Sequence, residues 1–375
     1  MELKSDFDEF LSAIRPTKNQ RDDLKTGHST LRSRLKTDET IKKVHISDFL
    51  QGSYRRATAV RPKDERRADV DIVVVTKLSE KEYTPGQAMD LFKPFLDKYY
   101  RGKWQQQGRS FGIELSYVEL DLVLTSAPSE AEEGILLSEA VTSDDDLEEA
   151  RDWRLHRSWV ALSNRELVDS RRLLAEASSS SEWTGKPLRI PDRVVDKWED
   201  THPLEQIRWT RDKNARTNRH YVNVVKSLKW WRLDKHPDPK HPKGFPLERL
   251  IGECCPDGIG SVAAGIALTL EAIKTKYKLQ ADSGGKPVLP DYGVPTHDVF
   301  KRISSTDFKK FYAQVVDAAA LARAAFDSTD RTESGNKWRE LLGNKFPKPP
   351  EGGGTKGGGY TPPTGPANPS GGRFA

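Results

Sequence analysis

The sequence predicts a bilobed protein, an α/β lobe joined to an all-helical one. Two apolar, β-branched runs, ADVDIVVVT and ELDLVLT, read as buried strands of one mixed sheet within the first third of the chain. Beyond residue 191 the periodicity is almost wholly helical. After Phe346 glycine and proline dominate, with almost nothing to bury, which reads as a flexible tail. A chain of 375 residues exceeds one ordinary core. The expected division is 1–180 for the sheet lobe with its N-terminal helices, 181–346 for the helical lobe and 347–375 for the tail.

Composition narrows the partners. Hydrophobic residues make up 35% and charged residues 31%, and nine Trp with thirteen Phe indicate real cores. A net charge of +5 fits a small polyanion such as a nucleoside triphosphate and is weak for a nucleic-acid binder. Basic residues are concentrated over 15–67 and 208–243, and acidic ones over 130–149. The two cysteines, Cys254 and Cys255, are adjacent and fit no zinc spacing, so they read as reduced thiols. The charged N-terminus and the lack of a long apolar stretch point to a cytoplasmic protein with no membrane partner.

Along the chain, Phe7, Phe10, Leu11 and Ile14 recur at helical spacing until Pro16 interrupts them. A charged segment over 18–36 continues as a long N-terminal helix or as two in succession. A first strand is expected over 44–50, a second over 68–75 and another over 113–124, with a helix over 84–100 between the last two. The acidic 129–154 reads as surface loop, and 162–177 as helix. Further helices are expected over 193–198, 219–233, 246–255, 261–276, 305–328 and 336–342. In the second of these Tyr221, Val225, Leu228 and either Trp230 or Trp231 face inward.

The chemistry concentrates at 51–78. Residues two apart on a strand share a face, so Asp69 and Asp71 project together while Ala68, Val70, Ile72 and Val74 fill the other face. Asp121 lies on a second strand whose Val118, Leu120, Leu122 and Leu124 point away from it. If the strands are neighbours, three carboxylates converge, with Glu119 as the nearest rival ligand. Like charges at a buried strand end repel, and a cation is the usual remedy. Such a cluster suits two Mg²⁺ or Mn²⁺ ions about 3.5–4 Å apart, with Asp69 and Asp71 bridging both and Asp121 beside the attacking hydroxyl. Upstream, Gly52 lets backbone approach a phosphate, and the Ser53 hydroxyl caps the following helix. There is no Walker A sequence.

In order, GSYRRATAVRP, ADVDIVVV and ELDLVLT resemble the nucleotidyltransferase superfamily signature, on a polymerase-beta-like core. RHYVNVVKSLKWWR, PLERL, LPDYGVPTHDVF and NKWRELLGNKFP narrow the resemblance to the bacterial cGAS/DncV-like nucleotidyltransferases (CD-NTases) of CBASS anti-phage systems, over roughly 40–347. The resemblance implies ATP or other NTPs as substrates, attack of a ribose hydroxyl on the α-phosphate, release of pyrophosphate and closure of a cyclic di- or trinucleotide read by a downstream effector. It assigns Gly52 and Ser53 to a triphosphate-gripping turn and Asp69, Asp71 and Asp121 to the metals. Lys229 is assigned to the donor triphosphate, although Lys226 is equally placed by sequence. Two positions depart from the pattern: Ala57 stands where the family usually has glycine before Thr58, and Phe245-Pro246-Leu247-Glu248 lacks the usual serine.

The tail ends at Ala375 after a flexible spacer, and some relatives have C-termini joined to targets by E1/E2-like proteins. Two other functions compete. A template-independent RNA-end nucleotidyltransferase would need sustained RNA binding. A non-catalytic nucleic-acid sensor would have no need of three carboxylates.

Overall fold

The computed structural model describes residues 1–63, 66–126 and 187–350. The loop expected over 129–154, the helix over 162–177 and the tail with its E1/E2-like partner lie outside them.

At the centre of the sheet, β2 (Ala68–Thr76) runs parallel to β5 (Val118–Ser126), with Asp71 opposite Asp121 and Asp69 opposite Glu119. β1 (His45–Gln51) pairs antiparallel with the outer edge of β2. On the other side lie β4 (Ser110–Glu114) and then β3 (Trp104–Gln106), both antiparallel to their neighbours. The strand expected over 113–124 is therefore two strands reversing at Leu115–Tyr117. The hairpin of β6 (Leu188–Asp192) and β7 (Lys197–Thr201) completes the seven-stranded sheet from the end of β5.

That hairpin replaces the helix expected over 193–198. Asp192 Oδ1 accepts the N–H groups of Val194 and Val195 at 2.9 and 3.3 Å, and Asp196 takes a positive φ. A side chain that binds the backbone two and three residues on builds a turn in place of a helix.

The N-terminal stretch is two helices, α1 (Lys4–Ile14) and α2 (Lys18–Thr37). Thr17 and Gln20 form a reciprocal capping box that starts α2. Leu24, Leu31 and Leu35 of α2 cover the sheet face formed by Val70, Ile72, Leu120 and Leu122. A Cβ on Gly27 would come within 2.8 Å of Val118, so glycine lets α2 seat tightly there. α4 (Pro85–Asp90) and α5 (Lys93–Tyr100) cover the same face and divide the single helix expected over 84–100.

The four apolar residues of α1, by contrast, pack into the helical lobe. At its centre is α7 (Tyr221–Lys235), preceded by α6 (Pro203–Arg216). Both Trp230 and Trp231 are buried, and most positions of α7 are covered on every side. It is a lobe axis and not the one-faced helix the sequence pattern indicated. Around it stand α8 (Gly244–Cys254), α9 (Val262–Lys276), α11 (Ser305–Asp327) and α12 (Arg331–Leu342), with the short α10 (Lys278–Asp282) after α9. Cys254 and Cys255 are free and buried there. No helix among the described residues is long and apolar enough to cross a membrane.

Candidate active site

The strand pattern delivers the three carboxylates to one face. Because β2 and β5 are parallel and in register, Asp69, Asp71 and Asp121 share it with Val73, Val75 and Val123. Glu119 is there too, exposed and opposite Asp69. Burial, then the charges of Asp69 and Asp121, push the Asp71 carboxyl up to about 7. Burial, then Asp69 and Glu119, push Asp121 up to about 6, against a hydrogen bond donated by Gln107 Nε2 at 3.2 Å. The three are not gathered into a closed ligand set among the described residues. Their donor chemistry nonetheless fits a hard divalent cation, since oxygen ligands that resist sharing negative charge are what such an ion neutralises.

Gly52 follows β1 directly and opens α3 (Gly52–Arg55), so Ser53 lies within the helix and is not its cap: Gln51 holds the N-cap position, with no side-chain cap bond. Its φ is +75°, and a Cβ placed there would lie 1.7 Å from Asp71 Oδ2. Backbone and carboxylate thus meet at a point where only glycine fits. The Ser53 carbonyl accepts the N–H groups of Thr58 and Ala59 at 2.9 and 3.1 Å, folding the chain back under the turn. Ala57 adopts a φ of 55°, the conformation for which glycine is the usual choice.

Lys229, on α7, does not stand alone. Its Nζ donates to Glu248 Oε1 at 3.0 Å, while Arg56 Nε donates to Glu248 Oε2 at 3.1 Å. Arg56 immediately follows α3, and Glu248 belongs to α8, so one carboxylate ties the turn of the sheet lobe to two helices of the other lobe. Glu248 is buried, yet the charges of Arg56 and Lys229 outweigh burial and hold it down at about 2. Glu248 and Arg56 also lie within electrostatic reach of Asp71. Lys226, one turn earlier, is buried beside Arg15 and Lys229, and burial drives its amine well below the usual lysine range.

The Arg56–Glu248 pair escaped sequence reasoning. Its partners are 192 residues apart, and no local pattern links them. In the helical lobe the Tyr292 ring is already engaged by its neighbours. Tyr292 lies 3.6 Å from Trp209 with an interplanar angle of 14°, and the Arg249 guanidinium sits 4.1 Å from the Tyr292 ring centre.

Residues 1–125 match the Second Messenger Oligonucleotide or Dinucleotide Synthetase domain family. A probable cyclic AMP-AMP-GMP nucleotide synthase of Salmonella paratyphi B is 49% identical over 382 aligned residues, covering 100% of both chains. A cyclic AMP-AMP-GMP synthase of Enterobacter hormaechei is 48% identical over the same span, again covering 100% of both. Among solved structures, the Bradyrhizobium diazoefficiens CD-NTase CdnG in complex with GTP superposes with a TM-score of 0.63 at 12% identity, over 90% of this chain and 94% of that one, which supports the shared fold. Parallel Asp-bearing strands, a glycine turn against Asp71, a separate helical lobe and full-length relatives together place this chain in the CD-NTase family of CBASS anti-phage systems, the nucleotidyltransferases that synthesise cyclic oligonucleotides.

Proposed function

We propose that this enzyme joins two ATP and one GTP into a cyclic AMP-AMP-GMP trinucleotide in the cytoplasm, each new phosphodiester bond releasing one pyrophosphate, with Asp69, Asp71 and Asp121 as the metal-holding carboxylates. The observation that carries the reading is the in-register Asp71–Asp121 pair, two carboxyls forced up by burial and by neighbouring negative charge. The choice of bases follows the 49%-identical relative's product. Mg²⁺ or Mn²⁺ bound there supplies positive charge to the phosphoryl oxygens and acidifies the attacking hydroxyl. Asp69 and Asp71 would hold that cation, and Asp121 would accept the proton of the attacking hydroxyl. The Gly52–Ser53 backbone and the Ser53 hydroxyl line the triphosphate, with Lys229 approaching from α7. Catalysis is then positioning and charge neutralisation.

The expected boundaries leave 1–180 with the carboxylates and the Gly52–Ser53 turn, and 181–346 with Lys229 and the rest of the grip. The β6–β7 hairpin goes with the sheet lobe and α1 with the helical lobe, in keeping with their packing. The product leaves to act on a downstream effector.

The test is incubation with the four labelled NTPs and Mg²⁺ or Mn²⁺, followed by phosphatase. One compact, phosphatase-resistant product that requires both ATP and GTP is expected. Asp69→Ala with Asp71→Ala should reduce it by roughly 1,000-fold or more. A ladder of linear products would support RNA-end addition, and a product unaffected by the double substitution would falsify the carboxylate assignment.

A further inference from the structure

The Glu248 bridge joins the end of α3 to α7 and α8. One carboxylate oxygen accepts from Lys229, the other from Arg56. Both Glu248 and Arg56 have side chains only 5% exposed, and that of Lys229 is 12% exposed. The Arg56 guanidinium also lies 5.1 Å from the Phe245 ring centre, on the same helix as Glu248. Tyr221 Oη donates to the Glu248 carbonyl at 3.2 Å, which fixes α8 against α7. Each end of the Glu248 carboxylate is therefore committed, and its backbone is held independently.

Resting on the reading of Lys229 and the Gly52–Ser53 turn as the triphosphate grip, we infer that Glu248 is a positioning residue for nucleotide binding. It sets the reach of Lys229 and fixes the distance between α7 and the end of α3. The argument is mechanical and electrostatic. A lysine on a flexible four-carbon stem reaches many places, and ordering it on binding costs free energy. Holding its Nζ in advance removes part of that cost. The same carboxylate draws in Arg56, one residue beyond the short helix that begins at Gly52. A change at Glu248 therefore moves both halves of the grip together. Neutralising Lys229 is not its purpose, because Arg56 balances the bridge and leaves one net positive charge on the trio. Glu248 touches neither substrate nor reacting atoms in this scheme.

A double-substitution cycle tests it. The variants are Glu248→Gln, Lys229→Met and the pair, read by affinity for a non-hydrolysable ATP analogue and by kcat/KM for ATP. Melting of each protein without nucleotide confirms folding. Glu248→Gln alone should weaken analogue binding and kcat/KM about 30-fold, mainly through KM. In the Lys229→Met background the same change should cost less than about 10-fold, because only the Arg56 half of the grip is left for it to act through. A merely structural Glu248 would give equal losses in both backgrounds. A Glu248 that sequesters Lys229 would give tighter binding on substitution. Either result overturns the inference. If Glu248→Gln fails to fold, Glu248→Asp keeps the charge one methylene short of reaching both cations, and the same cycle applies. Failure of the nucleotidyltransferase reading is separate: the unsubstituted protein would then form no product, and Lys229→Met would not change analogue binding.

Discussion

Two acidic sites within electrostatic reach of each other treat a carboxylate in opposite ways. On β2 and β5, Asp71 and Asp121 are desolvated among other carboxylates, and both are pushed toward neutrality. On α8, Glu248 is at least as deeply buried, yet two cations hold it ionised far below its usual range. Burial is common to both; the difference is whether the chain supplies the counter-charge. Where it does, the bridge is complete and joins the lobes. Where it does not, the charge is left for something that arrives from outside.

The pH dependence of stability should carry both signs. Glu248 has a depressed folded value, so its contribution is present above the ordinary 4.5 and is lost as pH falls from there toward about 2. Asp71 has a raised folded value. The folded protein holds that proton more tightly, so stability falls as pH rises from about 3.8 to about 7, and the penalty is complete above.

The largest expected effect breaks the compensated site. Glu248→Ala leaves Arg56 and Lys229 buried without their partner and should destabilise the protein by roughly 3–5 kcal/mol at pH 7. Denaturant titration checks this, and the loss should shrink as pH falls through 4. A change below about 1 kcal/mol would mean that the bridge is solvated and interchangeable. Next comes an intrusion into the other site. Gly52→Ala places a methyl group against Asp71 and requires a left-handed backbone of a residue that disfavours it. Cyclic product formation should fall about 100-fold, with the helical lobe unaffected by circular dichroism. Normal activity would show that the turn and Asp71 separate in the working enzyme.

A third substitution sharpens the contrast. Asp71→Asn removes a charge the fold does not want and should raise stability by roughly 2 kcal/mol at pH 8 without divalent cation. At pH 4 the gain should nearly vanish, because Asp71 is already protonated there. The same variant should be inactive. A loss of stability at pH 8 would mean that Asp71 is compensated by the protein after all, as Glu248 is.

How much of this was legible in sequence follows from the range of the forces involved. The face shared by Asp69, Asp71 and Asp121 follows from two-residue periodicity, and only the adjacency of β2 and β5 had to be supplied. Local signals misled where side chains override them. The reversal at Leu115–Tyr117 contains neither glycine nor proline, so two strands looked like one. Val194, Val195 and Trp198 recur as on a helix face, but Asp192 ties the backbone into a turn. On α7, Asn223 and Lys226 look like a solvent face, and their burial beside Arg15 is a tertiary fact. The Glu248 bridge joins three distant segments and leaves no local trace.

The smallest expected effect lies on the connector between the two sites. Ala57 stands one residue after Arg56 and pays for a left-handed backbone at φ 55°. That conformation costs a non-glycine residue about 1–2 kcal/mol, while glycine loses about 0.5–1 kcal/mol more entropy on folding. The difference leaves Ala57→Gly stabilising by roughly 0.5–1 kcal/mol. The substitution removes one methyl from the helical core's margin, where Ala57 packs, which lowers the gain toward the smaller figure. Because the strain sits between Ser53 and Thr58, whose N–H donates back to the Ser53 carbonyl, relief should tighten the turn without touching Asp71 or Glu248. Thermal melting should rise by a degree or two with unchanged kcat. A fall in stability would show that alanine's stiffer unfolded chain outweighs the strain, and that the connector holds its shape through the ion bridge alone.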